Sequence, residues 1–256
     1  MVSESMSLSY LRIIWVLVRR DYALQYAGSF LGITWMLLQN LTLIFIYAFV
    51  FLFSNLRNPG TQADYSGYVF SGLLFWIPLQ ELLTRGTSII TDNRQLIKRS
   101  SLGMDIFLWV PYFQYLIHFF ATAIPIVILL QYYSSVNWVG LIVAFVWMGF
   151  IGLYVMLLIN YLSRLNIIMK DISPLVRLLS QILFWTLPIL YYPNGILGTI
   201  NSFHPFNIPL DIFRSLILES YTSPFVFYSF IPFLLVFFMI WYFSRNRFHK
   251  VVLDQL

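Results

Sequence analysis

Six apolar runs, each near the length needed to cross a bilayer and parted by short polar connections, constrain this chain more than anything else in it. A membrane-spanning helix takes about 20 apolar residues, and runs of that order lie at 30–53, 68–83, 106–130, 139–162, 175–192 and 225–243. Inside lipid the backbone has no water to bond, so such runs fold as helices. Pro78, Pro111, Pro125, Pro188 and Pro232 sit inside or beside them, where membrane helices tolerate kinks. Only 10% of the 256 residues are charged, against 60% hydrophobic and 20% aromatic, whereas a soluble domain carries about 25% charged residues. That leaves no room for a soluble catalytic domain. Disorder, a disulfide scaffold and a nucleic-acid module are excluded too, since the net charge of +5 is spread among apolar segments. The expected fold is an all-α membrane protein: one six-span transmembrane domain over 29–256, preceded by an interfacial helix within 1–28.

Residues 1–28 do not read as a cleaved leader. Glu4 stands early, the apolar run 13–18 is short and ends in Arg19-Arg20-Asp21, and no small-x-small site follows. The apolar residues between Arg12 and Arg19-Arg20 fit a helix lying at the membrane interface with its basic groups among headgroups. A short buried helix accounts for the same run. With the N-terminus cytoplasmic, Arg12, Arg19, Arg20, Arg85, Arg94, Lys98, Arg99, Arg164, Lys170, Arg177, Arg245, Arg247 and Lys250 all fall inside, and only Arg57 and Arg214 outside. The positive-inside rule therefore places both termini in the cytoplasm. The outward stretch 193–224 is too long and apolar for a hairpin. Within it LDIFRSLIL, after Pro209, reads either as a re-entrant or capping helix or as an amphipathic surface helix.

The search for chemistry is mostly negative. None of the twelve glycines is followed by lysine, so the chain has no P-loop. His118, His204 and His249 lack metal-ligand spacing, no G-x-S-x-G elbow occurs, and there is no cysteine. No catalytic residue, metal or cofactor is expected in this chain. His118 is the one clear ionisable residue deep in a span, and a neutral imidazole bonded to a neighbouring helix suits it better than a proton relay. Glu81, one turn before Arg85, reads as half of an i,i+4 pair.

Three stretches resemble a family. RRDYALQYAGSFLGITW at 19–35 resembles the R-D-x-x-x-x-Y-x-G-S-x-L-G-x-x-W entry of the ABC-2 type polysaccharide export permeases, the O-antigen and teichoic-acid group. MKDISPLVRLLSQILFWTLPILYYP at 169–193 resembles that group's R-D-I…Q-x-x-F-W-x-T-P-I-x-Y stretch, and HPFNIPLDIFRS at 204–215 its N-P-x-x-P-x-x-x-x-R segment. Lys170 replaces the usual Arg, His204 the usual Asn and Leu187-Pro188 the usual Thr-Pro, swaps that keep the charge and the helix-breaking proline. The resemblance implies a homodimer of six-span subunits with two copies of a separate cytoplasmic ABC ATPase. That ATPase would bind and hydrolyse the ATP, and the complex would export a lipid-linked polysaccharide across a bacterial cytoplasmic (inner) membrane. A small-molecule or drug exporter of the same fold is the first alternative. A membrane-embedded lipid-modifying enzyme is the second, and it would need acid, base or metal residues gathered at one depth.

Roles for particular residues follow from that resemblance and from spacing. Trp35, Gln39, Thr42, Ile46 and Phe49 share one face of the first span, and Gln181, Trp185, Pro188 and Tyr192 one face of the fifth. Flat rings pack on the C–H faces of sugars while amides meet hydroxyls, so these faces are candidates for a substrate pathway; an interfacial aromatic belt is the competing account. Asp92, Arg94, Leu96, Ile97, Lys98 and Arg99 form a candidate ATPase-coupling helix within 91–99, or a basic loop binding headgroups. Gly28 and Gly32 provide either close helix packing or an elbow into the first span. On its own the purified chain is expected to hydrolyse no ATP; turnover by a contaminant-free preparation would contradict the absence of a nucleotide site.

Overall fold

The computed structural model describes residues 2–53, 62–99, 103–193, 195–202, 204–223, 231–232, 234–236, 238–240 and 242. Arg57, most of the expected last span at 225–243, and Arg245, Arg247, His249 and Lys250 lie outside the described residues. In chain order the helices are α1 (Val2–Gln25), α2 (Thr34–Phe53), α3 (Gln62–Asp92), α4 (Arg94–Arg99), α5 (Met104–Tyr133), α6 (Trp138–Ile168), α7 (Ile172–Thr186), α8 (Ile196–Ser202) and α9 (Asn207–Ile217). No strand occurs among the described residues, although Val136 and Leu218 form an isolated antiparallel bridge.

Two apolar runs fold as the long helices that a bilayer requires. α5 and α6, of 30 and 31 residues, are long and apolar enough to cross a membrane, reaching about 45 Å at 1.5 Å per residue. The apolar parts of α2 (Thr34–Tyr47) and α7 (Ile172–Thr186) are shorter. α3 has 31 residues but is less apolar, because it lies inside the bundle against α5, α6, α7 and α9. Its Ser66, Ser71 and Thr87 are buried there, and Ser71 and Thr87 donate to α3's own carbonyls.

The fifth expected span, 175–192, does not form one helix. α7 stops at Thr186 after 15 residues, about 22 Å and short of the ~30 Å hydrocarbon core. The cause is local: Pro188 disfavours helical backbone at the residue before it, and Leu187 is extended at φ −74, ψ 135. The break carries consequences for both Pro188 and Tyr192. Pro188 is buried rather than continuing an outward face, and Tyr192 leaves the helix altogether.

That break supplies a partner for the segment beyond it. α9 has nine of its eleven residues buried and packs on α3 and α6, which rules out the amphipathic surface helix. It begins at Asn207, two residues before Pro209, a position in the first turn where proline costs no hydrogen bond. Arg214, placed on the outward side by the charge count, is 0% exposed. Its Nη2 donates to the Pro188 carbonyl at 2.7 Å and the Tyr68 carbonyl at 3.1 Å. Its guanidinium carbon lies 3.5 Å from the Tyr68 ring centroid, and Nη1 is 3.7 Å from the Asp211 carboxylate. The Tyr221 hydroxyl donates to that carboxylate at 2.8 Å. Burial pushes the Asp211 carboxyl above its ordinary range, with Arg214 and Tyr221 pulling it back.

Room for the guanidinium comes from Gly72 on α3, where a Cβ would lie 2.8 Å from Arg214 Nη2 and 2.9 Å from Ile189 Cγ2. Gly72→Ala should therefore lower the thermal midpoint of the detergent-solubilised protein, at a cost of about 1–3 kcal/mol. An unchanged midpoint would mean that Arg214 is not confined as described.

Candidate functional site

At the other end of α3 the polar residues of three helices meet. α1 buries Ile14, Leu17, Val18 and Tyr22, positions that share one helical face, and it packs along α5. It is thus half-buried, with Tyr10, Leu11, Trp15 and Val16 exposed. The packing carries Asp21 to Gln114 of α5, whose amide donates to the carboxylate at 2.7 Å, and to Arg85 of α3 at 3.6 Å. Arg85 also lies 3.8 Å from Glu81, the i,i+4 pair expected from spacing, and bonds to Gln25. The second Glu81 oxygen is in contact with His118 Nδ1 on α5. Tyr22 stacks on His118 with ring centroids 5.9 Å apart and planes 12° apart. One residue earlier, Arg20 bonds to Asn93 at the corner between α3 and α4.

Two carboxylates share one guanidinium: Arg85 and the Gln114 amide meet at one oxygen of Asp21, and Arg85 and the His118 imidazole take one Glu81 oxygen each. Among the described residues no three His, Asp or Glu side chains are grouped to hold a metal ion. Sequence spacing revealed Glu81–Arg85 but not Asp21, Gln114 or the His118–Glu81 contact, because pairing between helices has no local signature. Arg214 was hidden for the same reason.

The candidate pathway residues fall on exposed faces. On α2, Met36, Asn40 and Ile44 are buried, and the Asn40 amide donates to Thr122 of α5 at 3.1 Å. Trp35, Gln39, Thr42, Ile46 and Phe49 are exposed. On α7, Val176, Ser180 and Phe184 are buried, whereas Gln181 is exposed and Trp185 is 63% exposed. The two helices approach through Tyr47 and Phe184, whose rings are 5.5 Å apart. Tyr192 does not join this face. Its ring centroid lies 4.4 Å from that of Tyr68, with the planes tilted by 37°, beside the Arg214 centre.

Along the coupling segment, α4 is a single short helix after Asn93, and Asp92 closes α3. Asp92 accepts from Ser88 at 2.7 Å. Arg94, Lys98 and Arg99 are exposed. Ile97 is buried and Leu96 packs against the core, so these two serve the bundle and are not free apolar contacts for a partner. A cleft of about 610 Å³ opens between this corner and α1, with Arg20, Arg85 and Arg99 facing Asp21 and Asp92 across it. Gly28 and Gly32 lie in the turn between α1 and α2 with φ of +76 and +54, and a Cβ on either would meet nothing within 4 Å. The turn geometry accounts for both glycines; no close helix contact does.

Fold and site together describe an α-helical bundle, two of whose helices are long and apolar enough to cross a membrane, with ion pairs tying its helices together. No family model matches the chain. It is 26% identical over 178 residues to the O-antigen export system permease protein RfbA of Myxococcus xanthus, covering 68% of this chain and 66% of that protein. It is also 26% identical over 181 residues to the protein of the same name in Klebsiella pneumoniae, covering 69% and 67%. The match to the first thus spans just under two thirds of its length. The chain is thus similar to two proteins named as O-antigen export permeases, the group that its three sequence stretches resemble.

If the charge cluster locks α1 to the bundle, Arg85→Met should cost on the order of 2–3 kcal/mol, much of it from the carboxylates left behind. Asp21→Asn added to that variant should then recover part of the loss in a thermal-unfolding double-mutant cycle. Strictly additive effects would show that Asp21 and Arg85 are not coupled.

Proposed function

We propose that this chain is the transmembrane permease subunit of an ABC transporter that exports a lipid-linked polysaccharide, O-antigen or teichoic-acid-like, across the bacterial inner membrane. Both termini are cytoplasmic in this reading. A homodimer works with two copies of a separate ATPase, which docks at the α4 corner through the exposed Arg94, Lys98 and Arg99. The chain needs no cofactor of its own.

The observation that carries the reading is the exposed polar and aromatic strip on neighbouring α2 and α7, in a chain similar to proteins named as O-antigen export permeases. A helix face turned only to lipid has no use for Gln39, Thr42 and Gln181, since amides and hydroxyls lose hydrogen bonds there. Facing the same strip of a second subunit, these residues would line a passage with amides and rings. An uncharged lining suits a moving polymer, because one tight site would stall it.

The strip gives a direct test. Trp185→Ala should reduce polymer export severalfold with normal protein level and ATPase association, whereas Trp185→Phe should largely preserve it, since the ring face rather than the indole N–H is used. Export unchanged in the Ala variant would remove Trp185 from the pathway.

A further inference from the structure

Beside the charge cluster, α1, the turn after it and α5 line an open cavity of about 590 Å³, bordered by Trp15, Arg19, Tyr22, Tyr26, Ile33 and Ile117 among others. Three features of it are unused by the export reading. Arg19 is exposed at its edge and makes no hydrogen bond or ion pair among the described residues, unlike its neighbour Arg20. The Tyr22 ring is 6% exposed, yet its hydroxyl has no hydrogen-bond partner, and an orphaned buried polar atom calls for an explanation. Burial, and after it the Glu81 carboxylate, raises the Tyr22 phenol above its ordinary value, so it remains an O–H donor. The surrounding surface is apolar: Trp15, Phe30, Leu31 and Ile33 are all exposed.

Trp15, Arg19, Tyr22 and Tyr26 follow one another at steps of four, three and four residues, which aligns them along one side of α1. A cation, an indole and two phenols on a helix that borders apolar surface match the interface between headgroups and acyl chains. We propose that this cavity binds one anionic phospholipid of the leaflet in which α1 lies. Arg19 holds the phosphodiester, the Tyr22 hydroxyl donates to the headgroup, and Ile33 and Ile117 receive the start of an acyl chain. The choice of occupant follows from charge and shape. One free guanidinium balances the single charge of a phosphodiester and would leave a diphosphate under-neutralised. A soluble phosphate would gain nothing from the apolar walls. The proposal rests on the chain lying in a membrane and is independent of what it exports.

Native mass spectrometry of the full-length protein in detergent tests it, with added phosphatidylglycerol, phosphatidylcholine, glycerol phosphate or a polyprenyl diphosphate. Phosphatidylglycerol should be retained in preference to phosphatidylcholine and should resist displacement by glycerol phosphate. Arg19→Gln should weaken its retention about tenfold, the worth of a charge-assisted contact, and Arg19→Lys should largely restore it. Tyr22→Phe should weaken it by a smaller factor, Ile33→Trp should block it by filling the cavity, and Arg12→Gln should leave it unchanged. Equal retention of phosphatidylcholine, an unaffected Arg19→Gln or Ile33→Trp variant with an unchanged thermal midpoint, or displacement by glycerol phosphate would overturn the proposal. Displacement by equimolar polyprenyl diphosphate would overturn it in favour of a carrier-lipid site.

Discussion

A charge drawn wholly or partly out of solvent must be matched on the spot, and α3 meets that demand at both of its ends, half-buried at one and fully buried at the other. At one, Glu81 is held between Arg85 of its own helix and His118 of α5, and Arg85 is shared with Asp21 of α1. At the other, the backbone and ring of Tyr68 receive Arg214 from α9. Removing one partner from such a group costs several kcal/mol, so each centre fixes which helices sit beside α3. The cluster at Glu81 determines where α1 docks. The Arg214 centre requires the chain to break after α7, since it uses the Pro188 carbonyl.

Much of the helical plan was legible in the sequence, because lipid-scale apolar runs are local signals: 106–130 and 139–162 became α5 and α6 nearly unchanged. Legibility failed where the partner lay far along the chain. Arg214 lies in a short helical stretch whose burial the sequence left open between a capping and a surface helix, and only the approach of Tyr68, 146 positions earlier, settles how it is paired. The helical face extrapolated through Gln181, Trp185, Pro188 and Tyr192 failed for a local reason that the sequence did display, the proline itself. Ile97 fits an apolar docking contact by position, yet its own bundle buries it.

The two centres also frame the proposed function. By fixing α1 and α9 to α3, they leave α2 and α7 with their polar and aromatic strips turned away from the bundle. In the proposed homodimer these strips would meet, the passage would form between subunits, and the α4 corner would stay free on the side where the proposed ATPase docks. The α1 cavity with Arg19 would then lie at the lipid boundary of the same assembly, where a bound phospholipid would hold the turn at Gly28 and Gly32 in place.

The central claim is that the α2 and α7 faces meet across a subunit boundary. Because the chain has no cysteine, single substitutions report on this without background. Membranes carrying Gln39→Cys or Gln181→Cys should give an oxidation-dependent covalent dimer that reduction dissolves. Ile142→Cys or Val146→Cys, on the exposed apolar face of α6, should remain monomeric. Dimers formed through α6, with none through Gln39 or Gln181, would contradict the account and move the pathway to another face of the bundle.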